Sequence, residues 1–154
     1  VHLTLAGGRG ANRANALLDV ALRESDPSAE LVTLLGNVDH DDLPNVLETA
    51  DIFIFASTCE NMPNTLIEAM SAGLPIACSD RGPMPEMLQD GGVYFNPDNV
   101  QSIEEAVLKL ISSPEFTARM AIRARELAAQ YSWKRCAEET WAYCNQILNE
   151  CYPD

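Results

Sequence analysis

Positive charge is what this sequence has least of. Its 154 residues carry 10 Lys and Arg against 23 Asp and Glu, a net charge of −13 with histidine neutral, and an isoelectric point near 4.4. That balance excludes a nucleic-acid binder, because phosphate backbones need a basic face. It also leaves too few cations for a polybasic membrane patch. Long apolar runs are missing as well. The longest, such as Ile52 to Ala56, fall far below the ~20 residues of a membrane span. Cys59, Cys78, Cys136, Cys144 and Cys151 form no C-x-x-C pair and no zinc spacing. An odd cysteine count without a signal peptide reads as free thiols in a reducing, cytoplasmic setting. His2 and His40 are isolated in the sequence, so both are expected on the surface. Repeats, low-complexity tracts and linkers are absent.

What remains is a folding sequence. Hydrophobic residues make up 47% of it, in sharply bounded segments, which excludes a disordered chain. The length suits one domain able to bury about 70% of the surface its unfolded chain exposes. The start, Val1-His2-Leu3-Thr4-Leu5, lacks an initiator Met and opens inside an apolar run. Residues 1–154 are therefore expected to be a piece of a longer protein.

Short apolar runs alternate with segments of helical period. Leu3 to Ala6 reads as a strand, closed by Gly7-Gly8-Arg9-Gly10. With Arg13 in place of the last glycine, this run fails as a G-x-G-x-x-G fingerprint and reads as a tight turn into a helix. Ala14, Leu17, Leu18, Ala21 and Leu22 share one face of that helix. Leu31 to Leu35 forms the next strand, stopped by Gly36-Asn37. Asp41 or Asp42 can cap a short helix carrying Leu43, Val46, Leu47 and Ala50. Ile52-Phe53-Ile54-Phe55 is apolar on both sides and reads as the most buried strand. Asn64 to Ala72 is a helix with Gly73 at its C-cap. Leu74 to Cys78 and Gly92 to Phe95 are strands, with a short helix at Pro85 to Gln89 between them. Strands apolar on both faces need cover on both faces, and the alternating helices supply it. The fold class is α/β, a doubly wound parallel sheet. Such sheets bind ligands at the carboxyl ends of their strands.

The last third is helical. Ser102-Ile103-Glu104-Glu105 has a capping-box pattern. Ser113-Pro114 places cap and proline in the favoured order. Ser132 opens a final helix with an apolar stripe of Trp133, Cys136, Ala137, Trp141, Cys144, Leu148 and Cys151. The first reading of that stripe is packing against the sheet; the second is a docking face for an absent lobe.

The chemistry is expected between Ser57 and Met70, where a buried strand turns into a helix. Glu60 precedes the turn. Glu68 lies roughly 7.5 Å along the helix axis from its start, and its side chain leans back toward that start. The amides of Asn64, Thr65 and Leu66 are expected to point outward, an anion site made without a basic residue. Carboxylates accept hydrogen bonds from sugar hydroxyls, and helix amides donate to phosphate. The composite fits a nucleotide sugar. Each piece also has a plainer reading. A Glu near a helix start is often a dipole partner, Arg81 either meets a phosphate or lies on the surface, and Glu86 reads as a helix cap rather than a ligand contact.

The run Ser57-Thr58-Cys59-Glu60-Asn61-Met62-Pro63-Asn64-Thr65-Leu66-Ile67-Glu68-Ala69-Met70 closely resembles the E-x7-E signature of retaining GT-B glycosyltransferases of family 4. Leu34 to Val38, Leu43 to Ile52, Ser79 to Glu86 and Ser132-Trp133 resemble that family's flanking segments. The resemblance implies a Rossmann-like C-terminal lobe of the GT-B fold with C-terminal helices, a lobe that binds the donor. It implies that Glu60 is the catalytic carboxylate at the transferred sugar, with Asn61, Met62 and Pro63 contacting that sugar. Asn64, Thr65 and Leu66 would bind the diphosphate, Glu68 the ribose, and Gly36, Asn37 and Val38 would lie beside the nucleobase. The reaction implied moves a hexosyl unit from a UDP-, GDP- or ADP-sugar to a hydroxyl acceptor with retention, and needs no metal and no cofactor. Where the family usually has Gly-Phe-Gly or Gly-Leu-Pro after the first Glu, this chain has Asn61-Met62-Pro63-Asn64, which leaves the sugar open. The family's first strand and helix of this lobe, and the N-terminal lobe that holds the acceptor, would precede Val1. The full protein is expected to be cytoplasmic, peripheral to the membrane through that lobe. Two other functions compete. One is a nucleotide-sugar-binding module without turnover. The other is a phospho-receiver domain, which needs an Asp cluster where Gly7-Gly8 stands.

Overall fold

The computed structural model describes residues 1–8 and 12–151. The turn expected at Arg9-Gly10 lies outside the described residues. The chain divides into two compact units, Val1–Val46 and Leu47–Asp154, with the boundary inside a short helix, α2 (Leu43–Glu48).

In the first unit, β1 (Leu3–Ala6) and β2 (Val32–Gly36) pair in parallel, Leu3 opposite Val32 and Leu5 opposite Leu34. Parallel neighbours need a crossover, and α1 (Asn12–Ser25) provides it. Asp26 then fixes the return. Its buried carboxylate accepts the amides of Glu30, Leu31 and Val32, each at 2.9 Å. Burial alone would raise its pKa. The three amides, with the charge of His2, outweigh burial and hold it below the ordinary carboxylate value. Cover on both faces was expected for these strands, yet Leu34 and Leu35 are each 42% exposed. Within this unit one helix is too little to cover a two-stranded sheet on both sides.

The second unit holds the main core. Its strands run in the order β3 (Phe53–Phe55), β4 (Ile76–Ser79), β5 (Val93–Phe95), all parallel. Every residue of β4 is fully buried, whereas Ile54 of β3 remains partly exposed. The most buried strand is therefore β4, not β3, because β4 sits between two partners and β3 ends the sheet. Side chains alternate along β4. Ala77 packs with Val93, Phe95, Ala106 and Leu110 beneath α5 (Val100–Ser112). α6 (Pro114–Ala128) packs on β4 and against α3 (Asn64–Ala72) and α4 (Met84–Leu88). Burial pushes the Cys78 thiol up to about 12, so it behaves as a small apolar residue.

Helix ends follow local chemistry. α3 stops at Gly73, whose φ of 74° is left-handed. The Gly73 amide bonds the Met70 carbonyl, and the Leu74 amide bonds that of Ala69. α6 opens with Pro114 after Ser113, and Ser132 Oγ accepts the Arg135 amide at the start of α7 (Trp133–Cys151). The capping box at Ser102 is not formed. Asn99 is the N-cap and accepts the amides of Gln101 and Ser102, so α5 starts earlier. Ser102 Oγ instead accepts the Asn96 amide. The stripe on α7 also departs from its first reading: no residue of α7 is buried, and Trp133 and Trp141 are 81% and 71% exposed. An amphipathic pattern records that a helix has an apolar face without naming what covers it.

Candidate functional site

Three loops leave the carboxyl ends of β3, β4 and β5, where parallel sheets place their ligands. After β3 the chain runs through Ser57 to Pro63 and enters α3. The Ser57 hydroxyl donates to Glu60 Oε1 at 2.7 Å. Glu60 is half-buried; Asn61 and Met62 are exposed; Pro63 is fully buried and anchors the turn. After β4, Gly82 adopts φ 53°, and a Cβ there would lie 3.9 Å from the Glu60 carbonyl oxygen. The loop after β4 thus backs the loop that carries Glu60.

The start of α3 differs from the expected anion site. Its N-cap, Pro63, makes no side-chain cap. The Asn64 amide bonds Met62 O at 2.9 Å, and the Leu66 amide bonds Pro63 O at 3.0 Å. The turn at Met62-Pro63 is tight enough to bring these carbonyls onto amides that an ordinary helix start leaves open. Among the described residues, no neighbouring carbonyl takes the Thr65 amide. Asn64 and Thr65 are exposed and Leu66 is buried, so diphosphate contact by a Leu66 amide would require this first turn to open. Glu68 is half-buried and shares a helix face with Asn64, four residues earlier.

Arg81 follows β4 and belongs to a polar bracket. Its Nη2 donates to Asn96 Oδ1 at 3.1 Å and pairs with Asp98 Oδ2 at 3.0 Å, while Nε meets Asp80 Oδ1 at 3.3 Å. It ties the loops after β4 and β5 together, and two carboxylates already share its charge. Glu86 is exposed in the first turn of α4, where a carboxylate suits the helix dipole.

Gly36, Asn37 and Val38 belong to the first unit. Gly36 ends β2 at φ 70°, and its carbonyl accepts the Gly7 amide at 2.8 Å. An open cleft of about 580 Å³ lies there, lined by Leu5, Gly7, Gly8, Asn15, Leu18 and Gly36 among others. A side chain at position 8 would overlap Asn37 Oδ1, so glycine there lets the Asn37 side chain pack against the backbone. Gly8 and the Ser57–Glu60 bond were not assigned roles from sequence. The spacing Ser-x-x-Glu was a usable signal for the second; nothing in the sequence marked the approach of Asn37 to Gly8. Among the described residues, no group of three or more His, Cys, Asp or Glu is arranged to hold a metal ion, and no helix is long and apolar enough to cross a membrane.

Parallel strands, helical crossovers and a carboxylate loop at the strand ends define a Rossmann-like α/β lobe. The chain belongs to the glycosyl transferases group 1 family, whose model matches residues 3–127. It is 30% identical over 109 residues to O-antigen chain mannosyltransferase B of Escherichia coli, covering 71% of this chain and 29% of that protein. It is 31% identical over 157 residues to the GDP-mannose:cellobiosyl-diphosphopolyprenol alpha-mannosyltransferase of Komagataeibacter xylinus, covering 99% of this chain and 37% of that protein. The chain thus spans about a third of the length of these relatives. Among solved structures, sucrose-phosphate synthase from Thermosynechococcus elongatus superposes with a TM-score of 0.82 at 22% identity, over 97% of this chain and 39% of that one. Anabaena HepE in complex with UDP superposes with a TM-score of 0.80 at 22% identity, over 96% of this chain and 41% of that one. The fold is that of the C-terminal lobe of GT-B glycosyltransferases.

Proposed function

We propose that this chain is the donor-binding lobe of a retaining GT-B glycosyltransferase of family 4. The transferase moves a hexosyl unit from a nucleoside-diphosphate sugar to a hydroxyl acceptor held by a second, N-terminal lobe. The observation that carries this reading is Glu60, fixed by Ser57 at the carboxyl end of β3, immediately before a helix that bears a second carboxylate, Glu68. Glu60 receives the hydroxyls of the transferred sugar. Glu68 receives the ribose. Thr65 offers its amide to the diphosphate; Gly36, Asn37 and Val38, in the other unit, are assigned to the base by the family resemblance alone. The names of the relatives support the donor class: one is a GDP-mannose transferase, and a solved neighbour holds UDP.

The test separates the two carboxylates in the full-length transferase. Glu68→Ala is expected to weaken UDP, GDP or ADP binding by about tenfold, the loss of hydrogen bonds to a charged group. Glu60→Ala is expected to leave diphosphate affinity within about twofold and to lower turnover by about a hundredfold. Equal losses of nucleotide affinity, measured by calorimetry, contradict the division of roles. A second reading is a nucleotide-sugar-binding module without turnover; release of nucleoside diphosphate by the full-length protein decides against it.

A further inference from the structure

We infer that Ser57 is a positioning residue for the donor sugar, acting by orienting the Glu60 carboxylate. The inference rests on the donor-lobe reading above. Its starting point is the short contact of 2.7 Å between Ser57 Oγ and Glu60 Oε1. A second acceptor, the Cys59 carbonyl, lies at 3.4 Å from the same hydroxyl. A serine has one proton to give. The shorter bond to a charged oxygen is the stronger, so the proton belongs to Glu60.

Both ends of this bond lie on the loop after β3, Ser57 nearer the strand. Ser57 lies two residues beyond Phe55, which is locked opposite Cys78 in the β3–β4 ladder. Glu60 sits on the loop, its backbone beside Gly82 and its side chain half-buried. A glutamate side chain on a loop samples many rotamers, and fixing it costs entropy. The bond limits the rotamers that the carboxylate samples. Oε1 is committed to Ser57, and Oε2 is the oxygen that addresses the sugar. Ser57 itself makes no contact with the donor. It acts on the sugar alone, because the diphosphate and the ribose are read by α3.

That division gives a readout which a general loss of stability would not produce. Affinities for UDP-glucose, GDP-mannose and ADP-glucose, and for UDP, GDP and ADP, are measured by calorimetry on the wild type, Ser57→Ala, Ser57→Thr and Glu60→Ala. For the pair the wild type binds, Ser57→Ala is expected to weaken the sugar nucleotide about fivefold relative to its diphosphate, one hydrogen bond's worth. The diphosphate itself stays within twofold. Ser57→Thr, which keeps the hydroxyl, is expected to restore the wild-type ratio, and Glu60→Ala to change the ratio at least as much as Ser57→Ala. A ratio within twofold of wild type in Ser57→Ala, a threonine variant no better than alanine, or an equal loss for the diphosphate overturns the positioning role while leaving the donor-lobe reading intact. A wild type that binds none of the six compounds overturns both.

Discussion

The Asp26 carboxylate takes three backbone amides in turn and so closes the path from α1 into β2. No periodicity or motif marks it, since the pattern joins one side chain to amides four to six residues on. Its depressed pKa has a pH signature. A group whose folded value lies below its unfolded one stabilises fully above the ordinary carboxylate value of about 3.9. That contribution is lost as pH falls through the folded value. The urea midpoint of Asp26→Ala is therefore expected to lie well below wild type at pH 7, and the gap to close below about pH 4; a gap independent of pH contradicts the account. Asp90 is also held low, first by its hydrogen bond from Arg123, but that pair is exposed and contributes little. Arg81 teaches a related lesson. Sequence placed a cation near the strand ends, but only the structure shows Asp80 and Asp98 sharing it. Ser57 and Glu60 were both in view as residues; their bond was not, because a loop conformation decides it.

At the scale of elements, the chain was readable wherever a local rule acts alone. α3 runs from Asn64 to Ala72 and stops at Gly73, as apolar period and glycine cap require. Gly73→Ala forces a Cβ into the left-handed region without a clash, the nearest atom being Arg125 Cδ at 3.6 Å. It is expected to cost about 1 kcal/mol in chemical denaturation, and no measurable loss contradicts the cap. Where two local rules compete, pattern misleads. Asn99 outbids Ser102 as the cap of α5 because it already lies in extended backbone, at φ −126°. Where burial depends on a distant partner, pattern is silent. The helical stripe of α7 is real, yet no residue of α7 is buried. Both tryptophans of the chain lie on it. Their fluorescence is expected to be quenched readily by acrylamide in the folded chain, and Trp133→Ala with Trp141→Ala to change stability by less than about 0.5 kcal/mol. A shielded emission or a much larger loss contradicts the exposure.

At the scale of the molecule, the acidic balance and the proposed ligand fit together through where charge sits. A diphosphate binder with a net charge of −13 relies on backbone dipoles more than on cations. Here two of three expected amides are taken and Arg81 is paired, so the phosphate contact proposed for this lobe falls to the Thr65 amide. Transfer also needs closure of a lobe that excludes water and holds the acceptor. This chain alone is therefore expected to bind donor without turning it over, and release of nucleoside diphosphate by the isolated 154 residues contradicts that division of labour. The most direct measurement is the melting temperature of this chain with increasing UDP-glucose, GDP-mannose and ADP-glucose, set beside Glu68→Ala. A ligand of the folded state at a hundred times its dissociation constant stabilises by about 2.7 kcal/mol, a rise of several degrees. The account predicts that one nucleotide series raises the wild-type midpoint and that Glu68→Ala needs about tenfold more of it for the same rise. No rise with any of the three, or an equal response from Glu68→Ala, contradicts it.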